Sequence, residues 1–439
     1  MRQVSPGLAK AIKNRVEEER DTIIDFARTI VRTVSVNPDL DPESPGEVAV
    51  AAVFKQRLLE LGFDVDEIYV EEGRPNLLST LPGTGEGPRL LFNAHMDTVR
   101  PYEEPEWLDA ETGQLLTKWS VDPFEAVIKD GYLYGRGTCD HKTEIVQMLE
   151  AVRILKELGV NLHGDLVFVN DSGEETGSAK GLLHMAQNIN FDVDAVVYAC
   201  TTDITPLGQQ YFSGMRGVNV FTAISGRQVY RMRVYGHTYH TLTPKTGWTA
   251  AENVARILPE LRDHMDQVNR RLNVDFGTGK PWMRLEHMTA PERDRARKPY
   301  VDLIISRTIS PNEDPEEQWE DFRRWAANRI IGRDHIRVEV EKDMDWTPYA
   351  TPDGHPIIEA TVNAVRTVRG IEANVATMPT PTGIARLLTN QPYPTVLFGF
   401  GSVNFHHAID ERIPIQDIVD TVKVYALLML EFLGYSWDE

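Results

Sequence analysis

Four short apolar runs constrain this chain more than anything else in it: Leu90–Ala94, Leu166–Val169, Ala195–Ala199 and Thr395–Phe398. They alternate with segments of helical period, over 10–35, 47–61, about 143–158 and 415–433, which is the signature of an α/β domain. Gly62 and Gly159 close the second and third of these helices. At 439 residues the chain exceeds the roughly 250–300 at which a single hydrophobic core stops growing, so two domains are expected.

Residues 212–343 differ in texture. Alternating segments at 230–235, 301–305 and 336–340 surround helical patterns over 248–272 and 315–331. The simplest reading is strand–helix–strand–strand–helix–strand, a small ferredoxin-like α+β layer. We therefore expect 1–211 and 344–439 to form a catalytic α/β domain, a mixed sheet flanked by helices. The stretch 212–343 would be a second domain inserted into it.

Charge narrows the function. The chain has 46 basic and 66 acidic residues, net −20, which argues against a nucleic-acid or anionic-membrane partner. No apolar stretch reaches the 18 residues or so of a membrane span. The first 21 residues are charged throughout and lack the apolar core of a signal peptide. Two cysteines, Cys139 and Cys200, exclude a disulfide framework. A cytoplasmic protein acting on a small molecule is the expectation.

The informative pattern is where acidic and imidazole side chains fall. Leu90–Ala94 runs into His95 and Asp97, Leu166–Val169 into the adjacent Glu174 and Glu175, and Ala195–Ala199 into Cys200 and Asp203. Thr395–Phe398 leads to His406 and His407, while Asp140 precedes the helix that begins near Thr143. Singly these are commonplace: adjacent glutamates usually form a solvated face, and Asp140 would cap a helix. In an open α/β sheet, however, strand C-termini share one edge, where ligands bind. Imidazoles and several carboxylates gathered there need a cation, and this donor set suits one or two Zn²⁺ or Mn²⁺ ions. Water bound to such an ion becomes a nucleophile near neutral pH, and one glutamate of the pair is free to act as general base. LPGTGEG at 81–87 is set aside as a dinucleotide loop, because it precedes a strand instead of following one.

These segments resemble the metallohydrolase group of aminoacylases, acetylornithine deacetylases, succinyl-diaminopimelate desuccinylases and carboxypeptidase G. NAHMDTV, GRGTCDHK and GEETGS are similar to its first three motifs, HHAIDE to its last, and VYGHTYHTLTPKTGWTAAENV to the start of its inserted lid domain. The resemblance implies that His95 ligates metal and Asp97 orients it, that Asp140 bridges two ions, and that Glu175 and His407 ligate the second. It makes Glu174 the general base, His240 a lid histidine reaching the partner subunit's site in a homodimer, and Arg307 a contact for a substrate carboxylate.

The departures from the group are also specific. Where it presents an acidic ligand after the third strand, this chain has Cys200, with Asp203 three residues on. Cys200 stands open between thiolate ligand and buried apolar residue, Asp203 between replacement ligand and none. If neither ligates, the site holds one ion. His141 follows Asp140 where small residues are usual, and a helix-start histidine facing solvent is expected there, the alternative being a further polar contact in the site. The group's asparagine-bearing stretch in the lid is replaced by APERDRARK (290–298), read as a solvated loop, and Ile384 stands where an acidic residue is familiar.

The expected activity is hydrolysis of a C–N bond by metal-bound hydroxide, on an amide of N-acyl amino acid or short-peptide type. The alternatives are hydrolytic deamination of an activated aromatic amine such as 5-nitroanthranilate, and a non-catalytic metal-binding scaffold. Retention of Glu174 beside a ligand argues against the last.

Overall fold

The computed structural model describes residues 3–85, 87–101, 107–208, 215, 217–237, 247–271, 282–290, 299–331 and 336–438. They fall into two compact units, one of 1–223, 350–376 and 382–439 and one of 224–349 and 377–381. The units change over at 223/224 and 349/350, against the expected 211/212 and 343/344.

In the first unit all four apolar runs are strands, Leu90–His95, Leu166–Asp171, Ala195–Ala199 and Thr395–Phe398. Their registers are parallel, in the spatial order Leu166–Asp171, Leu90–His95, Ala195–Ala199, Thr395–Phe398. Every residue of the four is buried. That explains the unbroken apolar character, since both faces of the sheet are covered by helices. Antiparallel strands extend it: Arg74–Leu81 beside Leu166–Asp171, then Asp64–Glu71, and Asn219–Ile224 beside Thr395–Phe398. The sheet is therefore mixed. The hairpin of 64–81 is not marked by an apolar run, because Asp64–Glu71 exposes alternate residues at the edge.

Helices Lys142–Glu157 and Ile415–Leu433 pack on each other and on strand Leu90–His95. The single helix expected over 10–35 is two, Pro6–Glu18 and Arg20–Arg32, broken at Glu19 with φ −93° and ψ 8°. No glycine or proline marks that break. Among the described residues, no helix is long and apolar enough to cross a membrane.

The second unit has the order strand Gly226–Tyr235, helix Ala250–Arg271, strands Met283–Thr289 and Tyr300–Ile309, helix Pro315–Arg329 and strand Val338–Trp346. Its antiparallel sheet places Tyr300–Ile309 and Gly226–Tyr235 centrally, with Met283–Thr289 and Val338–Trp346 at the edges. Its core joins Tyr230, Met232, Leu303 and Ile305 of the sheet to Ile257, Leu261, Trp319 and Phe322 of the helices. Tyr230 stacks on Phe322 at 4.5 Å.

Candidate active site and metal centre

Three of the parallel strands and one turn deliver side chains to the same place. Leu90–His95 ends on His95, Leu166–Asp171 leads through Ser172 and Gly173 to Glu174 and Glu175, and Thr395–Phe398 leads to the loop bearing His406 and His407. Asp140, on the turn before helix Lys142–Glu157, stands among them. Its Oδ1 lies 3.3 Å from His95 Nε2 and 3.2 Å from His141 Nε2. Its Oδ2 lies 3.1 Å from His407 Nε2 and 3.5 Å from His406 Nδ1. His407 Nε2 is also 2.8 Å from Glu175 Oε2.

The turns are held from behind. Glu411 is fully buried; its Oε1 accepts from the N–H groups of Gly137 and Cys139, at 3.1 and 2.8 Å, and its Oε2 from Arg136. Arg136 also donates to the carbonyls of His407 and Ala408, both at 3.3 Å. One buried ion pair thus ties the turn of Asp140 to the loop of His407. Gly137, at φ +86°, could carry no side chain: a Cβ there would lie 2.8 Å from Lys142 Cδ.

Asp97 does more than accompany His95. Its carboxylate accepts from the N–H groups of Glu174 and Glu175, both at 3.0 Å, and from Asn37 Nδ2 at 2.7 Å. His95 Nδ1 bonds to the Asp97 carbonyl oxygen at 2.9 Å, and the carboxylate is 3.5 Å away. Arg74, buried, holds Asn37 and Glu47 at 3.2 and 3.1 Å. Asn37, Arg74 and Glu47 escape sequence reasoning, since they precede every motif and only the fold brings them under it.

Glu174 stands apart from both donor sets. Gly383 N–H donates to its Oε1 at 2.7 Å, and its Oε2 lies 4.0 Å from His95 Nε2. Burial raises its pKa to about 8, with His95 opposing and the carboxylates of Glu175, Asp140 and Asp97 assisting. Burial also works against ionised Asp140, but the surrounding imidazoles outweigh it and hold this carboxyl well below its usual range. His407 is raised well above the usual imidazole range; burial opposes this, and Glu175 and Asp140 prevail.

Of the remaining residues singled out from sequence, His141 is a correction. It is not solvent-facing but buried at 3% exposure, its ring 4.5 Å from that of His95 and its Nδ1 3.4 Å from the Tyr198 hydroxyl. Burial is forced because Asp140 and helix Lys142–Glu157 fold directly into the sheet edge. Cys200 is buried, with its thiol pushed well up by burial, and belongs to neither donor set. Asp203 is likewise outside both; burial and then Asp417 raise its pKa to about 8, with Arg369 opposing. Arg307, in the second unit, is buried and donates to Glu313 Oε1 at 2.8 Å. His240 lies outside the described residues, as does 291–298 of the charged stretch.

The donors fit a divalent metal. Two triads, His95–Asp140–His141 and Asp140–Glu175–His407, each present ligand atoms within 4.8 Å of one another. Imidazole and carboxylate are the ligands expected for Zn²⁺ or Mn²⁺. His141 Nε2 is buried without a hydrogen-bond partner, as a nitrogen reserved for a cation would be.

Comparison with known proteins agrees. Residues 91–431 match the model of peptidase family M20/M25/M40. The chain is 25% identical to N-formyl-4-amino-5-aminomethyl-2-methylpyrimidine deformylase of Bacillus subtilis (strain 168), covering 97% of each. It is 26% identical to succinyl-diaminopimelate desuccinylase of Caulobacter sp. (strain K31), over 92% of this chain and 94% of that one. Human carnosine dipeptidase 1 shares the fold with a TM-score of 0.71 at 16% identity, over 98% of this chain and 100% of that one. The chain belongs to peptidase family M20/M25/M40 and is a hydrolytic enzyme that works with divalent metal.

Proposed function

We propose that this enzyme hydrolyses an amide C–N bond in a small molecule of the N-acyl amino acid or short-peptide class, with Glu174 as the proton carrier. One observation carries the reading: Glu174 is a half-buried carboxylate beside His95 and outside both donor sets, pinned by Gly383 N–H at 2.7 Å. The similarity to a deformylase and a desuccinylase supports the amide class.

His95, Asp140, Glu175 and His407 would hold the metal, with Asp97 fixing the main chain of the glutamate pair. When bound, divalent ions polarise a carbonyl and acidify water. Glu174 takes the proton of the attacking water on Oε2, the oxygen not engaged by Gly383, and returns it to the leaving nitrogen. Zinc or manganese as the metal, a cytoplasmic location and a homodimer in which His240 serves the neighbouring subunit complete the proposal. Arg307 would contact a substrate carboxylate in competition with Glu313.

A panel of formyl-, acetyl- and succinyl-amino acids, dipeptides and an activated aromatic amine, assayed separately for acid and ammonia release, tests this. Acid or amino-acid release by the wild type is expected. Glu174→Ala should lose roughly 10²–10⁴-fold in turnover with its metal content unchanged. Undiminished turnover in that variant would remove Glu174 from the chemistry. Ammonia release from an aromatic amine, with no amide cleaved, would replace the amide reading by deamination.

A further inference from the structure

We infer that His141 is a metal ligand of this enzyme, and that with His95 and Asp140 it completes an ion site that takes no donor from the strand Ala195–Ala199. The inference rests on the metallohydrolase reading above, since Asp140 is shared between this site and the one formed with Glu175 and His407.

The spacing of donor atoms is the first argument. Three ligand atoms about 2.1 Å from one ion in tetrahedral array stand about 3.4 Å from each other. Asp140 Oδ1 is 3.3 Å from His95 Nε2 and 3.2 Å from His141 Nε2, and all three atoms lie within 4.8 Å of one another. The two oxygens of Asp140 divide the labour: Oδ1 faces His95 and His141, while Oδ2 faces His407 at 3.1 Å. A carboxylate so placed could be shared between two cations.

The second argument is how the rings are tied. A ligating imidazole usually donates its far N–H to an oxygen, which fixes the tautomer and leaves the near nitrogen's lone pair for the metal. His95 does so through Nδ1 to the Asp97 carbonyl oxygen at 2.9 Å. His141 repeats the arrangement through Nδ1 and the Tyr198 hydroxyl at 3.4 Å. Its Nε2, in a side chain 3% exposed, is then left buried with no hydrogen-bond partner and aimed at Asp140. A buried nitrogen without a partner is costly unless something fills the place. His406, with Nε2 engaged at 2.6 Å by Thr201 Oγ1 and Nδ1 3.5 Å from Asp140 Oδ2, joins neither donor set.

The third argument is the failure of the alternatives. Cys200 and Asp203 follow the strand Ala195–Ala199, yet neither joins a donor set. Asp203 is paired through its main chain with Gly401 and Val403. Its carboxyl group feels Asp417 and Arg369, not His95. A histidine adjacent in sequence to the bridging aspartate thus supplies what the third strand does not, and the ion beside His95 is held by two neutral imidazoles and one shared carboxylate.

Metal analysis of the full-length chain loaded with Zn²⁺ tests this without reference to turnover. The wild type should hold two ions per chain, with X-ray absorption at the zinc edge reporting three imidazoles over the two ions and no sulfur. His141→Ala should hold one ion with a single imidazole, that of His407, while Cys200→Ala keeps both ions. Circular dichroism checks that His141→Ala is folded, and the wild-type absorption spectrum stands whether or not it is. Sulfur in the wild-type spectrum, loss of an ion from Cys200→Ala, a single ion in the wild type, or two ions in folded His141→Ala would each overturn the inference. The metallohydrolase reading fails separately: a wild type that binds no metal, or a His407→Ala variant with unaltered metal content, would sink that reading.

Discussion

Asp203→Asn should stabilise this enzyme at neutral and alkaline pH and do almost nothing in mild acid. Asp203, in the first unit, has a buried Oδ1 with no hydrogen-bond partner, and its pKa is raised to about 8 by burial and by Asp417, against the pull of Arg369. In the unfolded chain it titrates near the ordinary aspartate value of 3.8. The folded pKa lies above the unfolded one, so the folded state keeps its proton while the unfolded state releases it. Stability is therefore fully present below about pH 4 and is lost as pH rises towards about 8. The shift of about 4 units, at 1.36 kcal/mol each, sets a ceiling of about 6 kcal/mol. Local relaxation and water entry reduce such penalties, so a gain of about 2–4 kcal/mol is expected for a neutral isostere. At about 2 °C per kcal/mol for a unit of this size, the melting temperature should rise by about 4–8 °C near pH 8. Near pH 4.5 the two chains should agree to within about 1 kcal/mol, because neutral aspartic acid and asparagine share the same unpaired oxygen. Scanning calorimetry of both chains across this range, at one metal loading, gives the comparison directly. Metal content should not change. An advantage independent of pH would refute the electrostatic argument, and loss of an ion would return Asp203 to the ligand set.

Two further perturbations probe the support behind the site. Glu411→Ala leaves Arg136 buried and the N–H groups of Gly137 and Cys139 without their acceptor, so urea denaturation should show a loss of about 3–5 kcal/mol; a loss under 1 kcal/mol would show that the pair is not needed. Gly383→Ala would set a Cβ 2.6 Å from Glu174 Cγ and displace that carboxylate. Turnover should fall at least about tenfold with metal content intact, and full activity would mean that the position of Glu174 is unimportant.

Much of the fold is legible because burial writes itself into composition. The four parallel strands are predominantly apolar, since both faces are covered, and the two helical segments 315–331 and 415–433 differ little from the helices Pro315–Arg329 and Ile415–Leu433. The edge hairpin of 64–81 is not, because a strand with one solvated side carries no apolar run. The break at Glu19 is equally silent: the chain turns there without glycine or proline.

For the site, sequence alone determined which strand ends carry imidazoles and carboxylates, because a residue's place on a strand follows from local periodicity. It could not determine which of those side chains turn inward. His141, assigned to solvent by its place at a helix start, faces Asp140, whereas Asp203, a plausible ligand by spacing, joins neither donor set. Nor could it assign the ring of Asn37, Arg74 and Glu47 that fixes Asp97, since those residues are distant in sequence and ordinary in type. Periodicity is a property of a few neighbouring residues, but the direction of a loop side chain is set by everything packed around it, and that exists only once the sheet has assembled.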